Sequence, residues 1–565
     1  MHLLDLPPEL ILACLCDLPF LDLLNLLKVG NKQLHTLLRE SVFIQYRAEL
    51  ESADVDEKLL QRLVIADRRA ALLERESRWQ RLKPLSRYTI RPGFTSSSIY
   101  DVVGDWYMVG DSPDPVYGLP TALRYIATSP APSFNGEAGL PEAAEWVRIA
   151  SDKPIIDFVV SLATHDLLVM VTCTLDSVAE LVSIDLEIRR FSTGTRHPLA
   201  PSSDIHVTTA PLELRRPSVS IEVVGKVLAI SLMYWSADST EHDYLYVFDW
   251  QLGERLMEPR PISNNGLTFL SHDLLVVSNT NNESLEILVV PETPPAAGAS
   301  LPEPAVHSFF LPVLAPGQLF LSFHCRGHPN PDSPPTPYAL PSKARFIPRA
   351  KDSIILFSFS TALTGAAGSQ DHMFVLARWR FLTIVRAYLE NHARKTTAAG
   401  VLVPWADWGP RCTRFLDASA ISCRYITTTS GQRLVSIARG AHNLENGAPI
   451  RVLCFNEHVI HQYREFLSIH SEANVVESEH SVARLVEADD NDTSRDPSHG
   501  LTQAAIDVFQ DPREIVSHLA YVEIVSKRDE FGFGVVVIND ENIIGVKFSG
   551  ANQRTLESLE VLHFG

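Results

Sequence analysis

The sequence predicts a two-part molecule, in which a short helical N-terminal segment precedes a large all-β domain of β-propeller type, with a pair of stacked β-sheets as the structural alternative. Three observations carry this. Apolar residues recur at helical spacing as far as about residue 92. Beyond residue 93 the helical period gives way to short apolar runs bounded by turn residues. The length, 565 residues, exceeds one ordinary hydrophobic core and calls for several domains or one large repetitive fold. The expected units are residues 1–45, a small helical unit; 46–92, a helical linker; and 93–565, the sheet domain.

In residues 5–18, Leu10, Ile11, Cys14, Leu15 and Leu18 fall on one helical face, with Asp5 as a cap and Pro7 and Pro8 suited to a first turn. Pro19 ends that helix. Asp22 can cap a second run carrying Leu23, Leu26 and Leu27, which Gly30 stops. Asn31 can then cap a third helix whose apolar face is Leu34, Leu37 and Leu38. Three helices of about ten residues bury little surface among themselves, so much of this leucine-rich face awaits a partner.

The run Leu6-Pro7-Pro8-Glu9-Leu10, followed by Leu15, Leu18, Leu23 and Val29, resembles the F-box pattern over residues 4–40. Gly30 and Leu34 stand where many F-boxes carry a cysteine and an aromatic residue. The resemblance implies that Leu6, Pro7, Leu10, Ile11, Leu15, Leu18, Leu23 and Val29 lie at or beneath the contact with a Skp-type adaptor, and that the adaptor links the chain to a cullin. It further implies a substrate-recruiting subunit of a ubiquitin ligase, not itself an enzyme, whose sheet domain holds a target protein. A scaffold acting outside any ligase is one alternative, and an enzyme built on the sheet domain is another. The layout as a whole, a basic helix ending in Trp79 and then strands, also resembles F-box proteins abundant in mushroom-forming fungi.

From about Val55 to Leu82, Leu59, Leu63, Ala66, Ala70 and Leu73 form a narrow apolar stripe. The other faces carry Arg62, Arg68, Arg69, Arg75, Arg78 and Arg81, which reads as a solvated basic surface on a connecting helix.

The strand region announces itself in paired runs. Ile99–Val103 and Trp106–Val109 flank Gly104-Asp105, a two-residue hairpin turn. The same alternation returns as DLLVMVTCT and LVSIDLEI, KVLAISLMYW and YLYVFDW, DLLVVSN and SLEILVV, DSIILFSFS and MFVLARW, and FGVVVIND and NIIGVKF. Repeated hairpins with one apolar face each are covered most economically by radial packing, and this length suits about six to eight blades. The segment 244–253, YLYVFDWQLG, looks like the end of a WD-type blade. Two stretches read as excursions from the scaffold: residues 291–348, whose prolines disfavour central strands, and the acidic residues 487–500.

The net charge of −19 disfavours nucleic acid and anionic membrane surfaces as partners. Seven scattered cysteines do not make a disulfide framework, which points to a reducing compartment, cytoplasmic or nuclear. No window supplies the roughly 18 uninterrupted apolar residues of a membrane-spanning helix. The acidic residues that interrupt the apolar N-terminus, Asp5, Glu9, Asp17 and Asp22, argue against a secretory leader.

Phosphate-loop, zinc-protease, nucleophile-elbow and paired C-x-x-C motifs are absent. His458 with His461, and Cys325 with His328, lack the further ligands a zinc site needs. Gly532 and Gly534 fit a turn before a strand, and Cys14 and Cys16 act as small apolar residues. Asp489, Asn491 and Thr493 lack the glycine and glutamate that an EF-hand loop places after them. The expectation is therefore no cofactor and no metal.

Overall fold

The structure is a computed structural model of the chain. It describes every residue except 1–5, 17, 19–21, 24, 27–30, 59–62, 115–117, 130–144, 235–241, 297, 366–367, 394–399, 419–426, 438–447, 471–474, 489–505, 512–514, 528–530, 532 and 550–554. Val29, Gly30, Gly532, the triad Asp489, Asn491 and Thr493, and most of the acidic stretch 487–500 therefore lie outside the described residues.

The chain begins with helices α1 (Pro8–Cys16), α2 (Lys32–Glu40), α3 (Val42–Ala53) and α4 (Ile65–Arg81). Asn31 caps α2 as the sequence predicts, its side-chain oxygen accepting from the Gln33 and Leu34 amides at 2.9 and 3.1 Å. The linker is not one helix. Asp54, in the left-handed region at φ 55°, ends α3, and Val55–Glu57 forms a short strand paired with Phe346–Pro348. The stripe expected on the linker helix is misplaced: Ala66, Ala70 and Leu73 are exposed, and the buried face is Leu72, Arg75 and Trp79. Arginine stems and paired guanidinium groups cover apolar surface as well as aliphatic side chains do, which periodicity alone does not register.

Among the described residues seven larger sheets follow, antiparallel except where Leu402–Val403 pairs in parallel with Val306–Phe310 at the edge of one of them. Sheet A contains Tyr100–Val103, Trp106–Gly110, Ala122–Ala127 and Val147–Ala150; sheet B contains Ile155–Ser161, Leu167–Asp176, Leu181–Arg190 and Asp204–Pro211. Sheet C runs from Ser218–Val224 through Val227–Met233 and Tyr244–Asp249 to Glu254–Arg255, and sheet D from Leu267–Ser271 through Leu274–Asn279 and Ser284–Val289 to Val306–Phe310. Sheet E orders Gln318–Gly327, Ile354–Leu363, Gln370–Ala377 and Thr413–Leu416. Sheet F orders Thr429–Ser430, Arg433–Ile437, Ile450–Cys454 and Tyr521–Ser526, then adds Ser481–Val486 and Val476–Glu477. Sheet G joins Val535–Ile538, Asn542–Ser549 and Thr555–His563 to Ser86–Ile90, so the two ends of the strand region share one sheet. The sheet region thus begins before the boundary expected at residue 93.

The apolar faces pack sheet to sheet in order. Met108 and Tyr125 of A share a cluster with Phe158 and Met170 of B, and Val169 and Ile184 of B share the next with Ile230 and Phe248 of C. Further clusters join C to D, D to E, E to F and F to G, and Val537 and Val561 of G meet Val102 and Val109 of A. The first strands of consecutive sheets from B to G also lie beside one another.

Two expectations for this region are corrected. Residues 291–348 are not one excursion, since Val306–Phe310 and Gln318–Gly327 pair within sheets D and E; the prolines stand outside those strands. The region also contains helices α5 (Arg378–Ala393), α6 (Trp405–Cys412) and α7 (Glu457–Ile469), inserted between strands.

The real excursion is a strap, residues 328–345, which crosses the turns joining first to second strands. Its backbone or side chains bond Asp105 of sheet A, Leu162 and Thr164 beside sheet B, Glu222 of sheet C, Gly431 of sheet F and Glu541 of sheet G. Gly431 has φ +56°, and a Cβ there would stand 2.6 Å from the Pro348 Cβ, so both the turn and the neighbouring strand Phe346–Pro348 demand glycine.

Candidate interaction surface

The first helices build a miniature core. Ile11, Leu15, Leu23, Leu34, Leu38 and Ile44 are buried together, and Leu6, Leu12, Leu18, Leu26, Leu37 and Phe43 pack around them half-covered. Burying each aliphatic side chain contributes roughly 1.5–3 kcal/mol before chain entropy is charged against it. The Pro7 carbonyl accepts from the Leu10 and Ile11 amides at 3.0 and 3.1 Å and starts α1.

The expected adaptor-facing residues therefore separate into three groups. Ile11, Leu15 and Leu23 are internal and support the surface from beneath. Leu6 and Leu18 are half-buried at its margin. Pro7 and Leu10 point outward, Leu10 with 52% of its surface exposed, beside exposed Ala13 and Cys14. One side of α1 is thus a small apolar ridge held by a leucine core, a shape that can enter a groove on a partner.

The segment behind this ridge is joined firmly to the sheets. Tyr46 and Arg68 both bond the Glu57 carboxylate, at 2.8 and 3.0 Å. Arg349 pairs with Asp56 at 3.0 Å and with Glu51, and its amide donates to the Asp54 carbonyl. Asn456 donates to the Ser52 carbonyl at 3.0 Å. Farther along, Arg75 is buried and donates to the Asp540 carbonyl at 2.9 Å, while Arg433 bonds Glu76 at 2.6 Å. The basic face read as solvated is therefore partly the seam itself. Burial and then the nearby Asp352 push the Asp54 carboxyl up to about 8.

A second concentration of chemistry lies among the first strands. Arg326 donates to Asp101 at 2.7 Å and lies 3.7 Å from Glu222, whose carboxylate also accepts from Asn330 at 2.7 Å. Burial raises Glu222 and pushes Asp157, on the first strand of sheet B, up to about 6. A carboxyl with that value exchanges its proton near neutrality, while the Arg326 charge opposes the rise at Glu222. Sequence reading passed over Arg326 because it lies inside the CRGH run, judged only for zinc. Arg75 was passed over because charge runs on helices are normally solvated.

The remaining candidates resolve individually. Burial pushes the Cys325 thiol up, away from the reactive thiolate. His461 is exposed beside Glu465. Among the described residues no group of three His, Cys, Asp or Glu side chains could hold a metal ion, and no helix is long and apolar enough to cross a membrane.

No family model matches the chain, and no curated protein matches it. Among solved structures it is similar to a functionally unknown protein from Desulfotomaculum acetoxidans, with 12% identity over 49% of this chain and 84% of that chain and a TM-score of 0.23. It is also similar to a provisionally assigned gluconolactonase, with 12% identity over 50% and 96% and a TM-score of 0.20. A GH43_1 enzyme from Xanthomonas citri matches with 9% identity over 53% and 94% and a TM-score of 0.21. Two of these are named as enzymes, which overturns the expectation that this chain is not one. At these TM-scores the likenesses put no activity in its place.

Proposed function

We propose that the chain is an adaptor-tethered recognition protein, in which the N-terminal helices are an F-box that docks on a Skp-type adaptor and the sheets are a seven-bladed propeller that engages a protein target for ubiquitin transfer. The observation that carries the reading is the outward ridge of Pro7, just before α1, and Leu10 on it, set over the core of Ile11, Leu15 and Leu23. An apolar ridge of this kind binds through a few anchors, each contributing on the order of 1.5–3 kcal/mol when covered. The propeller reading is supported by seven clusters that link consecutive sheets and return from sheet G to sheet A, and by the sharing of sheet G between both ends of the strand region. The strap and the helical segment occupy the turns that join first to second strands, which leaves the opposite strand ends for the target. The helices fix the distance between adaptor and target, and proximity raises the effective concentration of the target's lysines at the ubiquitin donor.

The test is a pull-down of the full chain with a purified Skp adaptor, beside a variant carrying Pro7→Ala and Leu10→Asp. Capture of the first and loss of the second, with unchanged circular dichroism, is the expected result. Failure of the unaltered chain to bind would overturn the reading. Cullin co-purification separates a ligase subunit from a scaffold that uses the adaptor alone.

A further inference from the structure

Arg378, the first residue of α5, is 1% exposed. Its Nη1 donates to the Pro329 carbonyl of the strap at 2.7 Å and to the Ala350 carbonyl at 3.0 Å. Nε and Nη2 are enclosed and meet no acceptor among the described residues. These two atoms form one edge of the guanidinium plane, the two-pronged edge that carboxylates and other anions engage. Burial lowers Arg378 to about 10, which still leaves it charged at neutral pH. A buried charged donor left unmet costs more than a neutral one, and native proteins seldom carry such a group.

The nearby acids do not supply the missing charge. Glu222 and Asp332 are the carboxyls whose charges reach Arg378, and neither accepts a hydrogen bond from it. Glu222 already accepts from Asn330 at 2.7 Å and lies 3.7 Å from Arg326, and burial raises it toward its neutral form. Asp332 is exposed, so water screens its charge. Asp101 is held by Arg326 at 2.7 Å. The start of α5 adds the positive end of a helix, and its first turn, Arg378-Trp379-Arg380-Phe381, contains two arginines and no acid. Gly327 lets the guanidinium lie against sheet E, since a Cβ there would stand 2.8 Å from Nη2. Asn330 Oδ1 also lacks a donor. A water could serve Asn330 and Arg378 together, but it would bring no charge to the buried cation.

We propose that a small monovalent anion of chloride size binds Nε and Nη2 of Arg378 at the start of α5, beneath the strap, and neutralises the guanidinium that ties the strap to sheet E. The enclosure of both atoms sets the size of the ion, and the single unpaired guanidinium sets its charge. The site uses no residue of the adaptor-facing ridge and is independent of the adaptor reading.

Thermal denaturation of the full chain is followed as sodium chloride rises from about 1 to about 300 mM, with sodium gluconate holding the ionic strength constant. An ion bound by the native state alone raises the midpoint with the logarithm of its concentration, and this rise is expected for chloride and for bromide. In Arg378→Met, which removes both the charge and the fork, the midpoint is expected not to respond to the exchange of gluconate for chloride. Should that variant fail to fold, bromide locates the site in the unaltered chain: crystals grown in sodium bromide are expected to show an anomalous scattering peak in contact with Nε and Nη2 of Arg378. A midpoint of the unaltered chain that ignores chloride, an equal response in Arg378→Met, or a peak at this position without anomalous signal, as a water gives, would each overturn the proposal.

Discussion

Trp79, near the end of α4, stacks on Phe564, the penultimate residue of the chain, with ring centroids 4.2 Å apart and planes at 19°. Arg433 lies over the same indole at 4.8 Å. The contact joins the connecting helix to the last strand region, where sheets F and G meet. Trp79→Ala is expected to cost about 3–5 kcal/mol, as removal of a buried aromatic does. Trp79→Phe should recover part of the loss. Urea unfolding of the three proteins checks the order.

The shared sheet G makes the N-terminal segment part of the β architecture. A chain cut to residues 93–565, at the boundary read from the sequence, loses Ser86–Ile90, one of the two partners of Thr555–His563, and the whole of α4. It is expected to lack a cooperative thermal transition and to be digested rapidly by trypsin. A cut after residue 40 removes α1 and α2 and should leave the sheets intact. Equal stability of the two truncations would refute this account of the seam.

Leu10 and Leu15 separate docking from folding. Leu10→Asp alters a residue that is 52% exposed and should change stability by less than about 0.5 kcal/mol. Leu15→Asp places a carboxylate in the six-residue core and should abolish the helical unit. Amide hydrogen exchange over residues 8–40 reports the difference directly.

The Asp54 carboxyl makes the seam sensitive to pH. Its native value of about 8 lies above the ordinary 3.8, first through burial and then through Asp352, with Arg349 and Lys351 opposing. The native state therefore holds a proton that the unfolded chain has released, so this group's contribution falls as pH rises from about 4 to about 8 and is flat beyond. Asp54→Asn keeps a residue tolerant of the left-handed backbone and removes the titration. Denaturation midpoints between pH 5 and 9 should fall more steeply for the unaltered chain than for this variant.

Arg326 neutralises two buried carboxylates on different sheets. Arg326→Met leaves Asp101 and Glu222, 5% and 4% exposed, without their cation, and should cost about 3–5 kcal/mol. Adding Glu222→Gln should return part of that loss, because one uncompensated charge disappears. An additive double variant would show that the pair does not couple.

Local order in the molecule follows from short stretches of its sequence. The Asn31 cap and the hairpin around Gly104-Asp105 were legible because each depends on neighbours a few residues apart. So were hairpins in six of the seven sheets. Sheet F escaped because α7 and an added strand pair separate Ile450–Cys454 from its partner Tyr521–Ser526. Long-range packing settles which leucines of the N-terminal run face inward, that Arg75 is interior and Arg326 lies between two carboxylates, and that Ser86–Ile90 completes a sheet made from the far end of the chain. Helical and strand periodicity show that a face is buried, but not what buries it. Ion pairs between distant strands, and edges closed by a distant segment, are long-range solutions to local deficits, and they leave no signature in the residues nearby.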